Sequence, residues 1–335
     1  MSFPVSNSNN GNPVLSTNFQ YSQQVAINSW MLTSALGTNL TISVKPEKID
    51  LFINGLNDED PTVRIQSATS LIIVINYLSS NSPSSILNRL VNPFINTLRD
   101  ENPIVQRLAL DALGRLSDSG SRISSDVKIR ISEPLLLMCQ NNNGPYLQRQ
   151  AMKALLILLN SGLLPFTADI KERIVPLLIK TIEDEDPNFR ADSVSALGTL
   201  TRNNAAPDLR VVVMELLINR LRDSNSIVRK KIVIALKSFA ISNMSPKFKN
   251  EMITPLLERL GDEDLAVQGE ALNALNLFAT SSITPENKIK MVGPLLIVLD
   301  SGNEQIRTKA TVVLKTLLAI NIPANIKEQI LASLI

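Results

Sequence analysis

Apolar residues recur along this chain at helical spacing. After each of several apolar anchors, apolar or small residues follow at plus four, seven and eight. Examples are Ala151, Ala154 and Leu155 after Leu147, then Ile232, Ala235 and Leu236 after Val228, then Ala271, Ala274 and Leu275 after Val267. This is one stripe of a helix, because a half-buried strand would alternate instead. The alanines predict close approach between helices. The anchors themselves repeat. Val63, Val105, Leu147 and Phe189 stand 42 residues apart, and Phe189, Val228, Val267 and Ile306 stand 39 apart. A period of roughly 40 residues with only helical patterning inside it predicts stacked two-helix repeats.

The polar residues punctuate the same period. Three residues before the anchors stand Asp60, Asn102, Gly144, Asp186, Asn225, Asp264 and Asn303, types that satisfy or tolerate the free amides of a helix start. Pro61, Pro103, Pro145 and Pro187 follow directly, where a helix accepts proline best. Each anchor therefore opens the second helix of its repeat, helix B. Helix A starts after signals such as Ser82-Pro83, Ser245-Pro246 and Thr284-Pro285. Pro93, Pro134, Pro176, Pro255 and Pro294 lie inside A helices, and each removes one backbone bond and bends its helix.

The turn between the helices carries an acid, and helix B carries a base six residues later. Asp58/Arg64, Asp184/Arg190 and Asp223/Arg229 keep both, Asp100/Gln106 and Asp262/Gln268 keep the acid, Ser301/Arg307 keeps the base, and Asn142/Gln148 keeps neither. With the A-helix prolines, this pattern resembles HEAT repeats of the phosphatase-scaffold and karyopherin kind, over about residues 46–335. The resemblance implies a hydrogen-bonded ladder of these polar residues between neighbouring repeats. It also implies that the B helices line the inner, concave surface.

The resulting expectation is an all-α fold, an α-solenoid or superhelix of about seven two-helix repeats with terminal capping helices. Repeats are expected at about 46–80, 83–120, 124–162, 167–203, 206–242, 245–281 and 284–320, with a half repeat at 323–335. Residues 1–18, rich in Ser and Asn, are expected to be a disordered tail. Residues 19–45 are expected to hold a capping helix, with Val25, Leu32 and Leu36 on one face and Trp30 as a packing anchor.

Composition narrows the chemistry. There is no histidine, which removes the commonest general base and metal ligand together. The one cysteine, Cys139, lies in the apolar run Leu135 to Cys139 and reads as a small buried hydrophobe. No Gly-rich phosphate loop and no GxSxG elbow is present, and the repeat accounts for the carboxylates. No cofactor, metal site or enzymatic activity is expected. With 4% aromatics, the chain is a poor stacking platform for single-stranded nucleic acid. No apolar run is long enough for a membrane span, and the N-terminal ten residues do not read as a secretory signal. The expected location is the cytoplasm.

What varies between repeats is the outward side of helix B, at about plus two, three, six and nine from the anchor. These positions include Ile65, Gln66, Leu108, Ala191 and Gly269. Basic residues there and further along helix B are Arg107, Arg115, Arg149, Lys153, Lys230, Lys231, Lys237, Lys309 and Lys315, interrupted by Asp111, Asp192 and Glu270. These nine are the candidate partner-binding residues of a protein-interaction scaffold that takes a protein or an acidic peptide. The alternative is a nucleic-acid or phosphate binder using the same patchy basic face. Net charge of only +2 makes no demand for a polyanion.

Overall fold

A computed structural model describes residues 22–25, 28, 46–77, 84–118, 123–140, 144–161, 168–202, 206–320 and 322–334. Among them Ser22–Val25 and Asn28 are helical, and Val25 is fully buried. The expected tail at 1–18 and the Trp30 anchor lie outside the described residues. All regular structure among the described residues is helical.

The chain forms two compact units, Met1–Phe166 and Thr167–Ile335. The first unit contains α1 (Pro46–Gly55), α2 (Pro61–Tyr77), α3 (Ser84–Thr97), α4 (Pro103–Asp118), α5 (Ser125–Gln140) and α6 (Pro145–Asn160). The B helices α2, α4 and α6 pack side by side, and α1, α3 and α5 each pack on the B helix that follows. The second unit contains α7 (Ala168–Thr181), α8 (Pro187–Arg202), α9 (Pro207–Asn219), α10 (Ser226–Ala240), α11 (Pro246–Glu251), α12 (Ile253–Glu258), a 3-10 turn at Arg259–Gly261, α13 (Leu265–Thr280), α14 (Pro285–Lys290), α15 (Val292–Leu299), α16 (Glu304–Leu318) and α17 (Ala324–Leu334). Here α8, α10, α13 and α16 form the B layer in sequence order. Each unit is thus a run of α-hairpins stacked in two layers, the arrangement of an α-solenoid.

The apolar stripes account for the stacking. Phe52, Leu71, Leu90, Phe94, Val105 and Leu113 are fully buried in the first unit, and Phe239, Leu275 and Phe278 are buried in the second. Each such side chain contributes about 1.5–3 kcal/mol by leaving water. Helix α2 is buried well beyond one stripe, with the run Leu71 to Ile75 entirely covered. A helix apolar on most sides belongs inside a packed layer.

The expected N-caps form. Asn225 Oδ1 accepts from Ile227 N at 2.9 Å, Asp264 from Ala266 N at 2.7 Å and Asn303 from Ile306 N at 3.1 Å. Gly144 has no side chain to cap α6 and instead adopts φ +82°, a conformation that favours glycine. The prolines act in two ways. Pro93, Pro134 and Pro176 sit within continuous helices. Before Pro255 and Pro294 the A helix divides, at Met252 and Met291. A proline ring crowds the carbonyl four residues back. Those carbonyls belong to Glu251 and Lys290, the last residues of α11 and α14.

Candidate functional site

The charged residues of the repeat form one construction, met three times. Arg229 donates through Nη1 to its own repeat, to Asp223 O at 2.9 Å and Ser224 O at 3.1 Å. Its other edge grips the next repeat, with Nε at 2.9 Å and Nη2 at 2.8 Å from the two oxygens of Asp262. Arg190 makes the same pair with Asp223, at 2.9 and 2.8 Å. Arg64 faces Asp100 likewise in the first unit, donating through Nη2 at 3.0 Å, while its Nε lies 2.8 Å from the other oxygen as an ion pair without a well-aligned hydrogen bond. The ladder implied by the HEAT resemblance is therefore present.

Each acid is also held from its own turn, as Asp262 Oδ1 accepts Asp264 N at 3.0 Å and Asp223 Oδ1 accepts Asn225 N at 2.9 Å. Burial alone would raise the pKa of Asp223 and Asp262. The facing guanidinium and the turn amide outweigh it, so both carboxyls titrate below their ordinary value. The hydrogen bond to the carboxylate likewise raises the arginines. Gln106 and Gln268 keep only the first half of the construction. Their amides donate to Asp100 O at 2.7 Å and Asp262 O at 2.6 Å. One period on from Asp100 and Asp262 the sequence has Asn142 and Ser301, so arginine and acid are replaced together in the sequence.

The nine basic candidates divide between the units. Arg107, Arg115, Arg149 and Lys153 are on α4 and α6, and Lys230, Lys231, Lys237, Lys309 and Lys315 are on α10 and α16. Arg115 pairs with Asp111 at 3.1 Å and donates to Asn76 on α2 at 2.9 Å. Lys237 pairs with Glu270 on α13 at 2.9 Å, and Lys309 Nζ lies 3.4 Å from Gly269 O. These three tie neighbouring B helices together. Arg107, Lys153, Lys230, Lys231 and Lys315 have no acidic partner among the described residues.

The expected outward positions need correcting. Leu108 is 8% exposed and Ala191 3%, and Gly269 is buried. B helices lie flank to flank, so plus two and plus three often face a neighbouring helix rather than solvent. At Gly269 an added Cβ would stand 3.0 Å from Lys309 Nζ.

One cleft opens on the B layer of the first unit, of about 240 Å³, over Gly114. Asp111, Arg115, Asp118, Gln150 and Lys153 surround it. Both charge signs are present and no catalytic geometry is. Among the described residues, no group of three or more His, Cys, Asp or Glu could hold a metal ion. Cys139 is buried, and burial pushes its thiol up to about 12, far from a reactive thiolate.

Two buried lysines escaped the sequence reading. Lys249 Nζ donates to Ala240 O at 2.9 Å, closing the C-terminus of α10. Lys128, fully buried, donates to Ser161 Oγ at 3.2 Å, at the C-cap of α6. Burial lowers the pKa of both amines. The A layer has its own cross-repeat contacts, Arg89 to Asp50, Arg130 to Asn92 and Arg220 to Glu183. Their spacing near one period was the available signal.

Paired helices, turn acids and a forward-facing arginine define this chain as a HEAT-like helical-repeat protein. Residues 176–331, within the second unit, match the family model for the sister chromatid cohesion protein PDS5. A crystal structure of an engineered protein from the Northeast Structural Genomics Consortium is similar over 97% of this chain and 79% of its own, at 17% identity and TM-score 0.64. That likeness shows the fold. A second engineered protein from the same consortium is 17% identical over 81% of this chain and 97% of its own, with a TM-score of 0.39. No curated protein matches the sequence.

Proposed function

We propose that this chain is a non-catalytic scaffold that binds a protein or an acidic peptide along its B-helix layer. The observation that carries the reading is the pair Lys230 and Lys231 on α10, half-buried and without an acid partner among the described residues. Charges left uncompensated beside a packed helix layer favour an anionic ligand. The ladder acids are occupied by arginine, and Lys237 is neutralised by Glu270. The description of the family matched by residues 176–331, a part in sister chromatid cohesion, is in keeping with a scaffold. Low aromatic content favours protein over nucleic acid.

The test is fluorescence anisotropy with a labelled Glu-rich peptide and, separately, a short duplex DNA. Wild type should bind the peptide, and K230E/K231E should bind about tenfold more weakly while keeping its helical circular dichroism. Unchanged peptide binding by the variant would remove the B layer as the site. Tighter, steeply salt-dependent binding of the duplex would replace the protein ligand with nucleic acid.

A further inference from the structure

Arginine clasps three joints among the described residues, and at two of them a second acid joins the clasp. Beside Asp262 stands Glu263, whose Oε1 accepts from Nη2 of Arg229 at 3.0 Å. Beside Asp100 stands Glu101, 3.4 Å from Nη2 of Arg64. In both, Nη2 serves the aspartate and the glutamate together. At the third joint Arg190 meets both oxygens of Asp223, but the next residue is Ser224. Elsewhere the same turn position is Glu59, Glu101, Glu185 or Glu263. No second acid meets Nη2 of Arg190 among the described residues. Ser224 lies in the turn between α9 and α10, outside both helices, and is exposed. Its hydroxyl has no hydrogen-bond partner among the described residues. The neighbouring Ser226 differs, being half-buried with its hydroxyl turned to the Asp264 carboxylate. Arg220 and Arg222 precede Ser224, and the Arg222 side chain is 80% exposed.

We propose that Ser224 is a phosphorylation site for a protein kinase that selects basic residues before the serine, and that its phosphate takes the place glutamate holds at the other two joints. The kinase transfers the γ-phosphoryl group of ATP. Ser224 Oγ bonds to phosphorus, the bond from phosphorus to the bridging oxygen breaks, ADP leaves, and the hydroxyl proton passes to the kinase's general base. The reach is right, because phosphoserine and glutamate place their terminal oxygens the same number of bonds from Cα. Phosphate brings a charge of about −1.5 to −2 and three acceptor oxygens to the open hydrogen of Arg190 Nη2. It would stand beside Asp223 as Glu263 already stands beside Asp262. The cleft that Ser224 lines also holds Arg222, Arg229 and Arg259 besides its acids. The modification thereby tightens one joint of the array, between the α7–α8 and α9–α10 hairpins. It does not rest on the scaffold reading.

The experiment treats the folded full chain with ATP and, in turn, a panel of purified arginine-directed kinases, and maps phosphate by mass spectrometry. Ser224 should be modified, and R222Q should slow the reaction about tenfold. Phosphorus NMR then follows the modified chain. The second ionisation of phosphoserine, ordinarily near ~6, should shift down in the folded chain and return in R190Q. Gln106 and Gln268 show that glutamine keeps the carbonyl bond of its own repeat, at 2.7 and 2.6 Å, and circular dichroism checks that R190Q is folded. A kinase-free arm uses S224E, the residue the other joints carry. Its folding equilibrium constant in urea titration should exceed that of S224A about two- to fivefold, and the gain should vanish in an R190Q background. No phosphate at Ser224 with any kinase of the panel would overturn the site. A phosphate ionisation unmoved by R190Q, or an S224E gain that survives it, would overturn the clasp.

Discussion

Arg229 and Asp262 are among the most deeply buried charges described, with side chains 7% and 2% exposed. Removing Arg229 leaves the buried Asp262 only the Asp264 amide and, at 3.5 Å, Arg259 Nη1, which costs up to about 3–5 kcal/mol. R229A should therefore lower the unfolding free energy of the second unit by about that much in urea titration. R229Q should cost less than R229A, because the bond to Asp223 O survives the change. The same pair sets an acid response. In the unfolded chain an aspartate titrates near ~3.9, and in the folded chain Asp223 and Asp262 titrate lower. Their contribution is complete above ~3.9 and is lost as pH falls through the lower folded value. Thermal melts from pH 6 to 2 should show the fall steepening below about 4 in wild type and flattening in D262N. The turn acids, the arginines and the N-caps were all legible in the sequence, because each lies within six residues of its partner or repeats at a fixed period. The burial of Lys128 and Lys249 was not, because what covers an amine on helix A comes from other helices of the stack. Leu108 and Ala191 misled for the same reason.

Within the helices, two glycines at the same repeat position should answer oppositely to one substitution. Gly114 on α4 and Gly198 on α8 each stand nine residues after an anchor. A Cβ at Gly114 would lie 3.5 Å from Ala154 Cβ, an ordinary contact, while at Gly198 it would lie 2.9 Å from Ala235 Cβ. G114A should stabilise by about 0.5–1 kcal/mol through helix propensity. G198A should destabilise by about 1–3 kcal/mol, since α8 and α10 must part to admit the methyl. Denaturant midpoints of the two variants decide this, and two shifts of one sign would refute it. The alanines of the B stripe announced close packing in the sequence, but the 0.6 Å between tolerance and clash is a property of the packed helices. The prolines are similar. Their positions were legible, yet three sit within intact helices and two divide theirs, at Met252 and Met291.

On the scale of the whole molecule, the repeat period was plain in the sequence, while the division at Phe166 and Thr167 was not. Compactness sums many weak contacts, and no single motif carries it. In a stacked array each repeat is stabilised by its neighbours, so ends matter more than middles. Deleting 284–335 would strip α16 from the flank of α13, and the truncated protein should bind a hydrophobic dye and aggregate at concentrations where the full chain stays dispersed. The forward-reaching arginine also gives the array a direction, since each joint needs a donor behind and an acceptor ahead. That makes some contractions of the gene silent and others ruinous. Excising 191–229 sets Arg190 against Asp262 and leaves a matched joint, whereas excising 230–268 sets Arg229 against Ser301 and leaves a guanidinium with no counter-charge. Repeat number in such a protein can drift by recombination only at the joints where the two halves of the clasp still meet.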